Sequence, residues 1–310
     1  IKKMILMVNP GDCREIRETL NMTEKGTVKN SMENYVTVLR KDPLLVGSLR
    51  YNRLTEKIDV TKVLWWNKEP CVLTNKGRKA LRYFFEKYYG LFNESVMDDA
   101  LDLEAYSKEY HPICEYLETL EWDGKERIRN VLKVYMGADD SDMVYEMLKH
   151  FMMGALNRIY CPGCKFDEML CLVGQQGAGK STFFRFLALD DQWFSDSLKN
   201  LNMEKPYELL RGHWILEMSE MTAAISAKSI EETKSFLSRM KETHRNPYEK
   251  YEEDRPRQCV FAGSSNNRQF IPFDRTGARR FLPIEIDSSK AEKHILDDEP
   301  EAREYFDQLW

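Results

Sequence analysis

The chain has 310 residues, 42% hydrophobic and 31% charged, the proportions of a soluble globular protein with room for two domains. No apolar run approaches the length that crosses a bilayer, and the opening Ile1-Lys2-Lys3-Met4-Ile5-Leu6-Met7 lacks a full signal-peptide core and a small-residue cleavage site. A net charge of −5 argues against a generic polyanion binder but leaves room for a local basic patch. The seven cysteines are an odd number and point to a cytoplasmic setting rather than a disulfide framework. Cys161 and Cys164 have redox or zinc spacing. No second ligand pair accompanies them, and they precede a strand instead of opening a helix, so they are read as incidental.

Residues 1–30 carry no clear pattern. Ser31 is placed to cap a helix reaching about residue 40, with Tyr35, Val38 and Leu39 on its apolar side. Asp42-Pro43 ends it. Segments 46–51 and 57–63 read as two strands of a hairpin. A helix over 79–89 stops at Gly90, which suits a left-handed cap, and another spans 97–110. Residues 1–110 therefore form a small N-terminal α/β module. Its Lys76, Arg78, Lys79, Arg82 and Tyr83 are read as a packed aromatic face in preference to a nucleic-acid contact.

His111-Pro112 marks a break. Helices over 113–120, 125–135 and 142–159 make 111–165 a helical linker or subdomain. From residue 166 short apolar strands alternate with helices, the rhythm of a parallel α/β sheet. Met169–Val173 is an uninterrupted apolar run, as expected of a strand buried on both faces.

That strand runs into Gly174-Gln175-Gln176-Gly177-Ala178-Gly179-Lys180-Ser181, followed by Thr182. The pattern G-x-x-x-x-G-K-[ST] is met in full. Glycines permit positive φ and close backbone approach to phosphates. Successive N–H groups form an anion nest, and the following helix adds its positive dipole end. Lys180 is expected to reach the β- and γ-phosphates of ATP, and the Ser181 hydroxyl to bind Mg2+.

An acidic partner is expected on a neighbouring strand. His213-Trp214-Ile215-Leu216-Glu217-Met218-Ser219-Glu220 supplies two candidates. Glu217 is the natural Mg2+-holding acid, and Glu220 is placed to polarise the attacking water, with the division of labour between them left open. The strand over 258–263 ends in Ser264-Ser265-Asn266-Asn267, where Asn266 is the candidate to orient water or sense the γ-phosphate. Arg279 and Arg280, just before a last strand over 281–286, are candidates for an arginine finger donated in trans.

These motifs together resemble the virulence-associated protein E family of phages and mobile genomic islands, related to the superfamily 3 helicases of the AAA+ class. The resemblance runs from about residue 22 to 286. It is carried by Tyr110-His111-Pro112, Trp122-Asp123-Gly124-Lys125, Pro162-Gly163-Cys164-Lys165-Phe166-Asp167, the phosphate loop, Trp214-Ile215-Leu216-Glu217, Arg245-Asn246-Pro247-Tyr248, and the segment 274–281. It implies a P-loop NTPase core over 166–310, with a parallel sheet flanked by helices. It also implies an ATP-dependent, helicase-like motor acting on single-stranded or forked DNA in the host cytoplasm, active as a homo-oligomeric ring. In superfamily 3 the interval between the acidic strand and the sensor strand grips DNA. Here that interval holds a helix over about 230–240 and then Lys241, His244, Arg245, Tyr248 and Lys250. Such residues offer cations for phosphates and an aromatic ring for stacking. A nucleotide-switched binding factor that unwinds nothing is the rival reading.

Overall fold

A computed structural model describes residues 2–198, 206–219, 227–244, 252–266 and 278–310. They divide into two units, Ile1–Pro112 and Ile113–Trp310.

The first unit contains α1 (Lys2–Met7), α2 (Pro10–Glu18), α3 (Met32–Lys41), α4 (Asn75–Phe84) and α5 (Glu94–Tyr106). Its strands β1 (Leu49–Asn52), β2 (Lys57–Val60) and β3 (Cys71–Val72) form an antiparallel sheet in that order. Helix α3 starts after Ser31 and stops at Asp42, before Pro43, as the sequence implies. The Ser31 hydroxyl makes no capping bond. Helix α4 starts earlier than expected because Thr74 caps it, accepting from the Gly77 amide. It then widens into a π turn over Phe85–Tyr89 and ends at Gly90, whose φ is 71°. The wider turn allows Phe84, Phe85 and Tyr89 all to be buried in the same core as Tyr35, Val38 and Leu101.

The second unit begins with α6 (Pro112–Leu117), α7 (Ile128–Met136) and α8 (Asp142–Tyr160). These helices, expected as a linker or subdomain, pack with the sheet that follows. The indole of Trp214 donates to Ala155 O on α8 at 3.0 Å, and the buried Arg158 donates to Phe166 O at 2.7 Å. The sheet core is β4 (Met169–Val173), α9 (Lys180–Leu187), β5 (Phe194–Ser195), α10 (Pro206–Leu210), β6 (Ile215–Met218) and α11 (Ala227–Leu237). A β7 (Lys241–His244) and β8 (Glu253–Pro256) hairpin follows, then β9 (Val260–Ser265), β10 (Phe281–Glu285) and α12 (Glu299–Asp307).

Strand order is β10-β4-β9-β6-β5, with every pair parallel. All of β4 and β9 is buried, which explains why β4 reads as continuous apolar sequence. One expectation changes here. Helix α11 ends at Leu237, and Lys241–His244 is a strand paired antiparallel with β8. A buried ion pair anchors the hairpin base. Arg257 donates to Glu242 at 2.9 Å and to Phe236 O at 2.5 Å, with its guanidinium over the Phe236 ring.

The segment after β10 straps onto the end of α7. Asp287 N donates to Met136 O at 3.1 Å and Lys293 N to Val134 O at 3.0 Å. Gly137 caps α7 at φ 64°, and a Cβ there would lie 2.0 Å from Asp287 O. Gly137→Ala is therefore expected to destabilise the protein by about 2–4 kcal/mol, from a strained φ and a backbone clash together. Urea denaturation checks this, and an unchanged midpoint would contradict the packing described. No helix among the described residues is long and apolar enough to cross a membrane.

Candidate nucleotide-binding site

The site grows out of the end of β4. The loop 174–179 leads into α9, whose N-cap is Gly179. Gly177 and Gly179 have φ of 80° and 81°, a region that L side chains rarely adopt. Two loop glycines are also required by contact. A Cβ on Gly174 would meet Ile286 at 2.5 Å, and one on Gly179 would meet Ile295 at 2.3 Å. Gln176, Gly177, Ala178, Gly179, Lys180, Ser181 and Thr182 line an open cleft of about 350 Å3, closed by Ser219, Ser264, Asn266 and Leu296.

Gly174 and Gln175 serve differently, through their carbonyls. Lys180 Nζ donates to Gly174 O at 2.8 Å, to Gln175 O at 2.7 Å and to Asn266 Oδ1 at 2.9 Å. The lysine is buried, and that burial pulls its pKa down while Glu217 opposes the shift.

Strand order brings the acid to the loop. Because β9 lies between β4 and β6, its C-terminal tip, Ser264 to Asn266, emerges between the phosphate loop and Glu217. The Ser181 hydroxyl donates to Glu217 Oε1 at 2.9 Å. Glu217 is fully buried. Burial pushes its carboxyl above the ordinary range, and Asp196 adds to the rise, while Ser264, Ser181 and Lys180 pull it back. Its Oε2 has no hydrogen-bond partner among the described residues, although the Ser264 hydroxyl lies near enough to favour the charged form. An orphaned carboxylate oxygen beside a serine hydroxyl is costly inside a protein. It is an all-oxygen donor set of the kind Mg2+ takes, so Ser181 and Glu217 fit that ion.

The other expected residues fall as follows. Asn266 is exposed at the cleft mouth and bonded to Lys180. Glu220 lies outside the described residues, as do Arg245, Tyr248 and Lys250. Lys241 pairs with Asp254 across the hairpin, and Asp254 also accepts from Thr243 Oγ1 at 2.9 Å. Lys241 holds the Asp254 carboxyl below its ordinary range. His244 ends β7 opposite Glu253.

Arg279 is exposed, whereas Arg280 donates to Asp167 at 2.8 Å in a largely buried pair. Both arginines precede β10, whose first residue is level with Met169 at the start of β4. The cleft is at the other end of β4, about 13–16 Å away for a strand of this length. The chain's own cleft is therefore out of Arg280's reach.

Sequence reasoning missed four contributors. Leu296 belongs to no motif. Ile286 and Ile295 meet the loop glycines only through tertiary packing. Asp196 follows a strand of two residues, too short to carry a pattern.

A parallel sheet in which an interior strand feeds a glycine loop and helix, with a buried acid two strands away, is a P-loop NTPase fold. The virulence-associated protein E-like domain matches residues 117–310, more than half of the chain, and the chain belongs to that family. Its fold is similar to the apo A form of the NrS-1 C-terminal region, with a TM-score of 0.54 and 13% identity, over 91% of this chain and 68% of that one. A second A-form apo structure of that region gives a TM-score of 0.53 and 14% identity, over 84% of this chain and 65% of that one. This chain thus spans about two thirds of each, and at such identity the likeness shows the fold alone. No curated protein matches it.

Proposed function

We propose that the chain binds and hydrolyses ATP with Mg2+ as a helicase-like DNA motor in the replication of a phage or mobile genetic element. The observation that carries this reading is the direct joining of phosphate loop and buried acid, Ser181 to Glu217 at 2.9 Å. A phosphate loop beside a carboxylate that lacks, among the described residues, a partner on one oxygen is equipped for a nucleotide–metal complex.

The backbone N–H groups of the loop cradle the phosphates. Lys180 gives up its loop carbonyls and turns to the β- and γ-phosphates, whose charge restores its preference for the ammonium form. Ser181 and Glu217 would hold Mg2+, which would neutralise charge on the phosphate oxygens. Asn266, already joined to Lys180, orients the attacking water. Glu217 or Glu220 draws the water's proton.

Arg280 is tied to Asp167, so Arg279 is the better candidate for a finger reaching a neighbouring copy in a ring. The β7–β8 hairpin lies in the interval between the acidic strand and the Asn266 strand. This supports a DNA-gripping role for Lys241, His244, Arg245, Tyr248 and Lys250. With Lys241 balanced by Asp254, Arg245 and Lys250 take the larger share of phosphate contact.

Lys180→Ala is expected to cut phosphate release from ATP by about 1000-fold or more, through lost charge stabilisation on the transferred group. A colorimetric phosphate assay reads this. Wild-type protein that releases no phosphate from ATP would refute the reading.

A further inference from the structure

We infer that helix α4 of the first unit carries a separate binding surface for single-stranded nucleic acid, formed by Lys76, Lys79, Tyr83 and Lys87. This unit lies wholly outside the residues matched by the family. The surface is read from its own charges and does not depend on the motor reading.

The helix sorts its cations onto two faces. Arg78 and Arg82, four residues apart, take the carboxylates around them. Arg78 bonds Asp98 at 2.6 Å and lies 3.7 Å from Asp102 on α5. Arg82 bonds Glu86 at 3.0 Å and also pairs with Glu94. All four carboxylates are held by these two arginines, and none of them pairs with a lysine of the other stripe. Lys76, Lys79, Tyr83 and Lys87 follow at spacings of three and four, which places them along another stripe of the helix and its π-turn extension.

All four residues are exposed. No ion pair engages the three lysines among the described residues. The Lys87 ammonium lies 5.8 Å from the Tyr83 ring centre and 5.1 Å from that of Tyr88. Unpaired cations in a row attract a polyphosphate backbone. The exposed Tyr83 ring between them selects the form of that polyanion. A single strand offers unstacked bases to an aromatic face, whereas a duplex or a lipid headgroup offers none. In sequence the segment reads as a packed aromatic face. Phe84, Phe85 and Tyr89 fill that role, and Tyr83 does not.

The test is anisotropy of a labelled oligo-dT titrated with the full chain, without nucleotide, at several salt concentrations. Lys76→Ala/Lys79→Ala/Lys87→Ala is expected to weaken binding about tenfold or more, and to reduce the salt slope by about 2, since each single-strand phosphate contact contributes about 0.7. Tyr83→Ala is expected to weaken binding about tenfold with the salt slope unchanged, because stacking releases no counterions. Melting temperatures of both variants should match wild type, as these side chains are exposed. The control Lys125→Ala/Lys165→Ala/Lys290→Ala removes the same charge elsewhere and should bind as wild type. Unchanged affinity and slope in the α4 variants would overturn the inference, as would an equal loss in the control. So would binding to phosphatidylserine vesicles without binding to oligo-dT. With no nucleotide present, the outcome is independent of whether DNA stimulates hydrolysis.

Discussion

Glu217→Gln is expected to abolish hydrolysis, keep nucleotide binding and make the protein more stable. Glutamine keeps the shape of the side chain and a partner for Ser181, and removes only the charge. Under the proposed reading, losing that charge weakens the metal site and removes one of the two candidate acids for activating water, so hydrolysis should fall about 100- to 10,000-fold. The loop that cradles the phosphates is untouched, so a fluorescent ATP analogue should still bind. The stability gain follows from the fully buried carboxylate. Burial raises its folded pKa above the ordinary glutamate value. The ionised form therefore destabilises the folded state at every pH above that raised value. The cost shrinks as pH falls from the folded pKa towards the unfolded one, where both states take up the proton. In metal-free buffer at neutral pH the variant should melt a few degrees higher than wild type, and the gap should close in acid. Wild-type turnover, or a lower melting temperature, would contradict the role given to Glu217. Functional sites often hold such locally unfavourable groups, and removing them trades activity for stability.

Two adjacent arginines are expected to give opposite phenotypes. Among the described residues, Arg280→Ala leaves the Asp167 carboxylate with only a 3.5 Å contact from Ser238, in a setting where both pair members are largely buried. Breaking such a pair costs about 2–4 kcal/mol, visible in chemical denaturation. Arg279→Ala removes an exposed side chain and should leave the denaturation midpoint alone. Under the ring reading it should reduce hydrolysis about 1000-fold, the scale of an arginine finger. The decisive form is a mixture. Arg279→Ala protomers keep an intact loop and Lys180→Ala protomers keep an intact finger. A random mixture in a head-to-tail ring joins the two at about a quarter of interfaces, and activity should recover in that proportion. No recovery on mixing, or a hydrolysis defect in Arg280→Ala at unchanged stability, would reverse the assignment.

The parts of the site that sequence exposes are local ones. The phosphate loop, its feeding strand and its helix occupy consecutive positions, and steric rules dictate their residues one by one. Glu217 and Asn266 are legible because each sits at the tip of a short apolar strand. What sequence hides is distant pairing. Asp167 and Arg280 are 113 residues apart, and nothing local in either marks the other. The β7–β8 hairpin escapes because Lys-Glu-Thr-His and Glu-Asp-Arg-Pro show no apolar alternation. Its stability comes from Arg257 bonding Glu242 and Phe236 O. The helices over 113–160 read as a linker because their partners lie beyond them. Trp214 meets Ala155 across 59 residues. The π turn after α4 is hidden for a related reason, since it serves core packing that only the folded unit defines.

The most direct test of an ATP-driven DNA motor is the rate of phosphate release against increasing single-stranded DNA, at about 50 and about 200 mM salt. For wild type the rate should rise and saturate with DNA, and the half-saturating DNA concentration should climb steeply with salt. Lys180→Ala should stay flat near background throughout. A wild-type rate indifferent to DNA at the lower salt would contradict the motor and leave a nucleotide-switched binding protein in its place.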